Sequence, residues 1–146
     1  MTRELVLLVS FGLLLPASAA ENGTDSRELI ALPEMMQQHM LANMRDHLSA
    51  IAQIQDALAG GDFDRAADIA EERLGMSSLA SHGAAHMARY MPEPMQAIGT
   101  QMHRAASRFA LAAQEASVDG DLRRALKGLA DVTRQCNACH AAYRIR

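Results

Sequence analysis

The sequence predicts an all-α protein, an antiparallel four-helix bundle, on three observations. Ala, Leu, Met, Gln, Arg and Glu dominate while aromatic residues make up only 3% and Trp is absent, a balance that favours helix over strand. Apolar residues recur at 3-to-4 spacing over long stretches, the period of a helix with one buried face. Two junctions also read alike, Gly61-Asp62-Phe63-Asp64-Arg65-Ala66-Ala67 and Gly120-Asp121-Leu122-Arg123-Arg124-Ala125-Leu126. Each stops a helix at glycine and restarts one at an aspartate that can cap it. Two such hairpins joined by a longer link give the bundle. At 146 residues the chain suffices for one domain with its own core.

The first twenty residues, MTRELVLLVSFGLLLPASAA, carry Arg3, an apolar run over 5–15, Pro16 and then the small residues Ala17-Ser18-Ala19. This reads as a secretory signal, its apolar run falling short of the ~20 residues a spanning helix needs. Cleavage after Ala19 or Ala20 would leave a mature chain beginning near Glu21 in an oxidising compartment, which in a Gram-negative cell is the periplasm. Residues 21–31 are polar and unpatterned and are expected to be a flexible lead-in to a domain spanning 32–146.

Pro33 suits a first helical position, where a missing N–H costs nothing. The first helix is expected over 33–58, with Met40, Met44, Leu48, Ile51, Gln55 and Leu58 as its inner stripe and Gly60-Gly61 closing it. Asp62 caps a second helix running to about 74, with Phe63, Ala66, Ala67, Ile69 and Ala70 facing inward. Residues 76–91, interrupted by Gly83, read as a connection with one helical stretch. Pro92 and Pro94 open a third helix that runs to about 116, its stripe being Met95, Ile98, Met102, Ala105, Phe109 and Ala112. After a turn at 117–120, a fourth helix runs over 121–143.

The formal net charge is -3 with no long basic run, so neither nucleic acid nor an anionic membrane surface is an expected partner. No Ser/His/Asp or paired-carboxylate spacing supports catalysis, and an enzyme is not expected. The chemistry lies near the C-terminus, where the only two cysteines stand in Cys136-Asn137-Ala138-Cys139-His140. Positions i, i+3 and i+4 of a helix share a face, so both sulfurs and the imidazole point the same way. C-x-x-C-H is the spacing of covalent haem c attachment. A thioredoxin-like pair belongs at a helix N-terminus after a strand, a zinc site needs further ligands, and a disulfide across one helical turn is geometrically poor.

With this motif followed by Tyr143-Arg144 near the C-terminus of an exported four-helix chain, the sequence resembles the class II c-type cytochromes. That family contains the high-spin cytochromes c-prime and their low-spin, methionine-ligated relatives. The resemblance implies that Cys136 and Cys139 hold one haem c and that His140 is the proximal iron ligand. Arg144 would lie near the haem edge and face a propionate, or simply favour the negative end of the helix dipole. It further implies a homodimer formed through the first two helices.

In such a bundle the distal group comes from the first turns after Pro33, the segment MMQQHMLANMRDHL. In the low-spin relatives a methionine from this region binds the iron, and Met44 is the favoured candidate here, with Met40 close behind. His39 or His47 would give a bis-histidine haem instead. The expected function is one-electron transfer between redox partner proteins in the periplasm. A c-prime-like protein that binds NO or CO is the alternative. A third reading is copper binding by His82, His86, Met87, Met91, Met95, Met102 and His103, thioethers and imidazoles being soft enough for Cu(I); the plainer reading makes these methionines core filler.

Overall fold

The computed structural model describes residues 25–146. The expected signal segment and the first residues of the lead-in lie outside the described residues. Within them the chain is mostly helical, with helices α1 (Glu34–Ala59), α2 (Phe63–Arg73), α3 (Ala84–Ala88), α4 (Glu93–Asp119) and α5 (Leu122–Ala142). Two short strands, β1 (Glu28–Leu29) and β2 (Tyr143–Arg144), complete it. No helix among the described residues is long and apolar enough to cross a membrane.

Each long helix starts and stops where its local chemistry dictates. Pro33 and Pro92 sit in extended backbone before α1 and α4, and Glu34 and Glu93 place a carboxylate in each first turn, where the helix dipole favours it. The two echoing junctions adopt the same geometry. Gly61 (φ 76°) and Gly120 (φ 74°) take the left-handed conformation that a side chain would oppose. Asp62 then accepts from the Arg65 N–H at 3.0 Å, and Asp121 accepts from the Arg124 N–H at 3.2 Å. The expected connection contains a 3₁₀ turn at Met76–Leu79 and the short α3. Between them Gly83 (φ 61°) is also left-handed, and a Cβ there would lie 3.1 Å from His39 Nε2.

One core joins the four long helices, built from Ala50, Ile54 and Leu58 of α1, the alanines and Ile69 of α2, and the Met102–Ala116 face of α4. Ala125, Leu129 and Val132 of α5 close it around the fully buried Phe109. Small residues on facing stripes let the backbones approach closely; a Cβ at Gly128 of α5 would lie 3.3 Å from Phe109 Cα. Close helix pairing follows chain order through α1 with α2, α2 with α4, and α4 with α5.

The ends of α1 and α5 also meet, but with space between the helices. The Gln37 side chain at the start of α1 donates to the Ile145 carbonyl beyond α5 at 2.6 Å. At the other end, Gln55, Leu58 and Ala59 of α1 face Leu122 and Leu126 of α5 across an apolar hollow of about 230 Å³.

Three expectations change in detail. The inner stripe of α1 is rotated: Met36, Ala50, Ile54 and Leu58 are buried, whereas Leu48 is 72% exposed, Gln55 is exposed, and Met40, Met44 and Ile51 are half-buried. The stripe expected to face the core instead carries on along the Gln37 face, toward α5. The lead-in is not free throughout. β1 pairs in parallel with β2 through Glu28 with Tyr143 and Leu29 with Arg144, the Ile30 N–H donates to the Arg144 carbonyl at 2.8 Å, and Ile30 is buried. Finally, α5 ends at Ala142 and Tyr143 is extended, so Arg144 belongs to β2 and not to a further helical turn after His140.

Candidate functional site

Cys136, Cys139 and His140 occupy the last turns of α5. The buried stripe of that helix runs Ala125, Leu129, Val132, and Cys136 continues it at i+4, packed against the core. Cys139 is half-buried and His140 exposed, so the three side chains pass from the core edge to the surface along one face. Both cysteines are free thiols, and the Cys136 thiol donates to the Val132 carbonyl at 3.6 Å.

Burial pushes the thiol pKa of Cys136 upward, and burial together with the neighbouring Cys136 does the same for Cys139. The carbonyl-rich end of α5 adds to this by disfavouring an anion. A dithiol redox pair needs the opposite, a thiolate stabilised by positive surroundings. The thioredoxin-like alternative therefore lacks its chemistry as well as its position.

The segment over 25–30 that carries β1, a strap paired with β2, lies against this end of α5. Arg27 forms an ion pair with Asp25 at 2.7 Å and reaches the His140 carbonyl with Nη1 at 3.4 Å. Arg144 Nε stands 3.5 Å from Asp25 Oδ2. The hydrogen bonds from Arg27 hold the Asp25 carboxyl well below the usual carboxylate range. Arg144, expected to face a cofactor carboxylate, thus has Asp25 as its acidic neighbour.

The two distal candidates, Met40 and Met44, are half-buried on α1, three and seven residues after Gln37 and so on the face that Gln37 turns toward the C-terminal tail. The two histidines of the same segment are engaged elsewhere. His39 Nε2 lies 2.8 Å from the His82 carbonyl, which also accepts from Asn43 at 3.1 Å. His47 packs on His82, with ring centroids 4.8 Å apart.

The methionines and histidines of residues 82–103 differ in burial. Met87, Met95 and Met102 are buried, Met91 is half-buried, and His86 is exposed with its ring edge-on to Tyr90 at 5.9 Å. His82 and His103 are buried together, 5.6 Å between centroids. The partner that the sequence left out of this group is His47, which comes from a distant helix. A larger hollow of about 400 Å³ between α2 and α4, lined by Asp68, Glu71, Ser107 and Leu111 among others, lies apart from all of these residues and brings no cysteine or histidine together.

No family model, curated protein or solved structure matches the chain.

Proposed function

We propose that the chain is an exported monohaem c-type cytochrome, an antiparallel four-helix bundle that carries one electron between periplasmic redox proteins. Cys136 and Cys139 would hold haem c through their sulfurs, His140 would be the proximal ligand, and Met44, or next Met40, the distal one. The observation that supports this reading is the bond from Gln37 of α1 to Ile145 just beyond α5, which brings the start of α1, with Met40 and Met44 one and two turns further on, to the end of the chain that carries Cys136, Cys139 and His140, while α1 and α5 pair less closely than the other long helices.

The donor chemistry fits such a group. Two free thiols and an imidazole share one helical face, as covalent attachment beside the iron requires. When bound, haem c supplies the one-electron couple, which a thioether on one side raises in potential relative to a second imidazole. The protein's part is to orient and to exclude water. The core stripe of α5 fixes Cys136, Arg27 bonds the His140 carbonyl at the end of α5, and Met40 and Met44 of α1 would offer sulfur instead of a nitrogen base. His39 and His47, each with neighbours on the link, are poorly disposed for a bis-histidine arrangement.

The visible absorption spectrum of the mature chain, produced with haem c maturation machinery, tests the reading in ferric and ferrous forms with and without CO. A low-spin spectrum with a methionine charge-transfer band and no CO reaction is expected. A high-spin spectrum that shifts with CO would replace electron transfer by c-prime-like gas binding, and a chain that takes up no haem would end both.

A further inference from the structure

Three histidines from three separate elements meet inside the molecule: His47 of α1, His82 of the link and His103 of α4. Their ring centroids are 4.8 Å (His47 to His82), 5.6 Å (His82 to His103) and 6.1 Å (His47 to His103) apart. Three imidazoles that each give one nitrogen to a single tetrahedral ion at ~2.0–2.1 Å have centroids about 5 Å apart. The triangle is therefore near the size that one ion imposes.

The hydrogen bonds fix which nitrogens are free. His103 Nδ1 is 2.8 Å from the Leu74 carbonyl, an acceptor only, so it carries the proton and leaves Nε2 with a lone pair. Ser78 is buried and gives its own proton to the Gly75 carbonyl at 2.7 Å, so its oxygen is left to accept from His82 Nδ1 at 3.4 Å. That leaves Nε2 of His82 free as well. Such backbone and hydroxyl partners on Nδ1 are the outer contacts that orient metal-binding histidines. His47 Nε2 is buried with no hydrogen-bond partner among the described residues, an unfavourable arrangement unless something takes the lone pair or proton.

We propose that His47, His82 and His103 form a binding site for one borderline divalent transition ion, Zn²⁺ or Cu²⁺, separate from Cys136, Cys139 and His140. Imidazole suits both ions, and three protein nitrogens leave a fourth position for water. As they stand, no three or more His, Cys, Asp or Glu side chains among the described residues are arranged to hold an ion. Binding requires the His47 ring, which no hydrogen bond on Nε2 holds in place, to turn toward the Nε2 atoms of His82 and His103. The site differs from a thioether copper site, because Met87, Met95 and Met102 serve the core.

Calorimetric titration of zinc chloride into the full chain at pH 7 tests this, with copper(II) sulfate as a second arm and a Cys136→Ser/Cys139→Ser variant to keep thiols out of the result. One ion per chain is expected, bound equally by the thiol variant, at least tenfold more weakly by His47→Gln and His82→Gln, and unchanged by His86→Gln. Copper is expected to bind more tightly than zinc, following the general order for such ligands. Saturation should raise Tm, since the ion ties three elements together in the folded state alone. His103 is left intact because it also bonds the Leu74 carbonyl; should a variant unfold, the metal-induced shift of the histidine Nε2 resonances in the unaltered chain decides. No binding of either ion, binding lost with the thiols, or equal weakening by His86→Gln would each overturn the proposal. None of these outcomes bears on haem attachment, whose spectrum is read independently.

Discussion

Gln37 and Ile145 are bonded directly, the side-chain amide of one donating to the main-chain carbonyl of the other at 2.6 Å across 108 residues of sequence. With the β1/β2 pair it fastens the start of α1 to the tail of α5. Gln37→Ala should remove about 1 kcal/mol of stability, the net value of one hydrogen bond. It should also speed exchange of the Ile30 amide, which donates to the Arg144 carbonyl at 2.8 Å. Unchanged exchange at Ile30 would mean that the strap holds without this bond.

Met44→Leu and Met40→Leu separate the two distal candidates. In the haem-loaded chain the first should abolish the methionine charge-transfer band and admit CO, while the second leaves both features alone. Loss of the band in Met40→Leu only would reverse the assignment, and its survival in the double variant would move the ligand to another methionine of the chain.

Gly128 marks a close approach of α4 and α5, with Phe109 Cα 3.3 Å and Phe109 Cδ2 3.2 Å from where a Cβ would stand. Gly128→Val should cost about 1–3 kcal/mol by overpacking, more than any gain in helix propensity returns. Denaturant unfolding measures it; a variant as stable as the parent would show that the helices separate freely here.

The histidine cluster makes stability depend on pH in chelator-treated protein. His47 falls from 6.5 to about 4 on folding, mainly through burial, and His82 is lowered by burial and by His103. Depressed basic groups make the unfolded chain bind more protons between these values, so stability falls as pH drops from about 6.5 toward 4 and levels off below. For His47 the loss is bounded at about 3 kcal/mol. Asp46, itself held low by Arg73, adds a further loss below the histidine plateau as its carboxylate is protonated. Urea midpoints from pH 4 to 8 should follow this slope, and His47→Gln should flatten it; a flat profile in the parent chain would contradict it.

Local signals carried most of the helical layout. Caps, prolines and glycines act within a few residues, so Asp62, Asp121, Pro33 and Gly120 marked their helix ends in the sequence as they do in the structure. The face of α1 was less legible. Met40, Met44 and Leu48 form as good an apolar stripe as Met36, Ala50 and Ile54, and the packing of a separate helix, α2, decides that Ala50 and Ile54 are covered. β1 and β2 were invisible for the same reason, since two-residue strands have no periodicity and are defined by a distant partner.

The Cys136-x-x-Cys139-His140 face was legible because its spacing is internal to one helix. The histidine cluster was legible only in part, since the sequence grouped His82 with His103 among the residues of 82–103 but nothing linked them to His47 on α1. One trace existed. Buried histidines on otherwise apolar faces ask for partners, and His103 within the Met102–Ala106 face was such a residue.

The strap has a consequence for the order of assembly. α1 with α2 and α4 with α5 are hairpins whose contacts close short loops, and such contacts form early because little chain entropy is lost. The β1/β2 pairing closes nearly the whole described chain and therefore forms late. Until it does, Arg27 is away from the His140 carbonyl, and the last turns of α5 remain open to whatever must reach Cys136 and Cys139. The latch closes after the hairpins it secures, leaving a nascent chain whose reactive end is already helical yet still accessible.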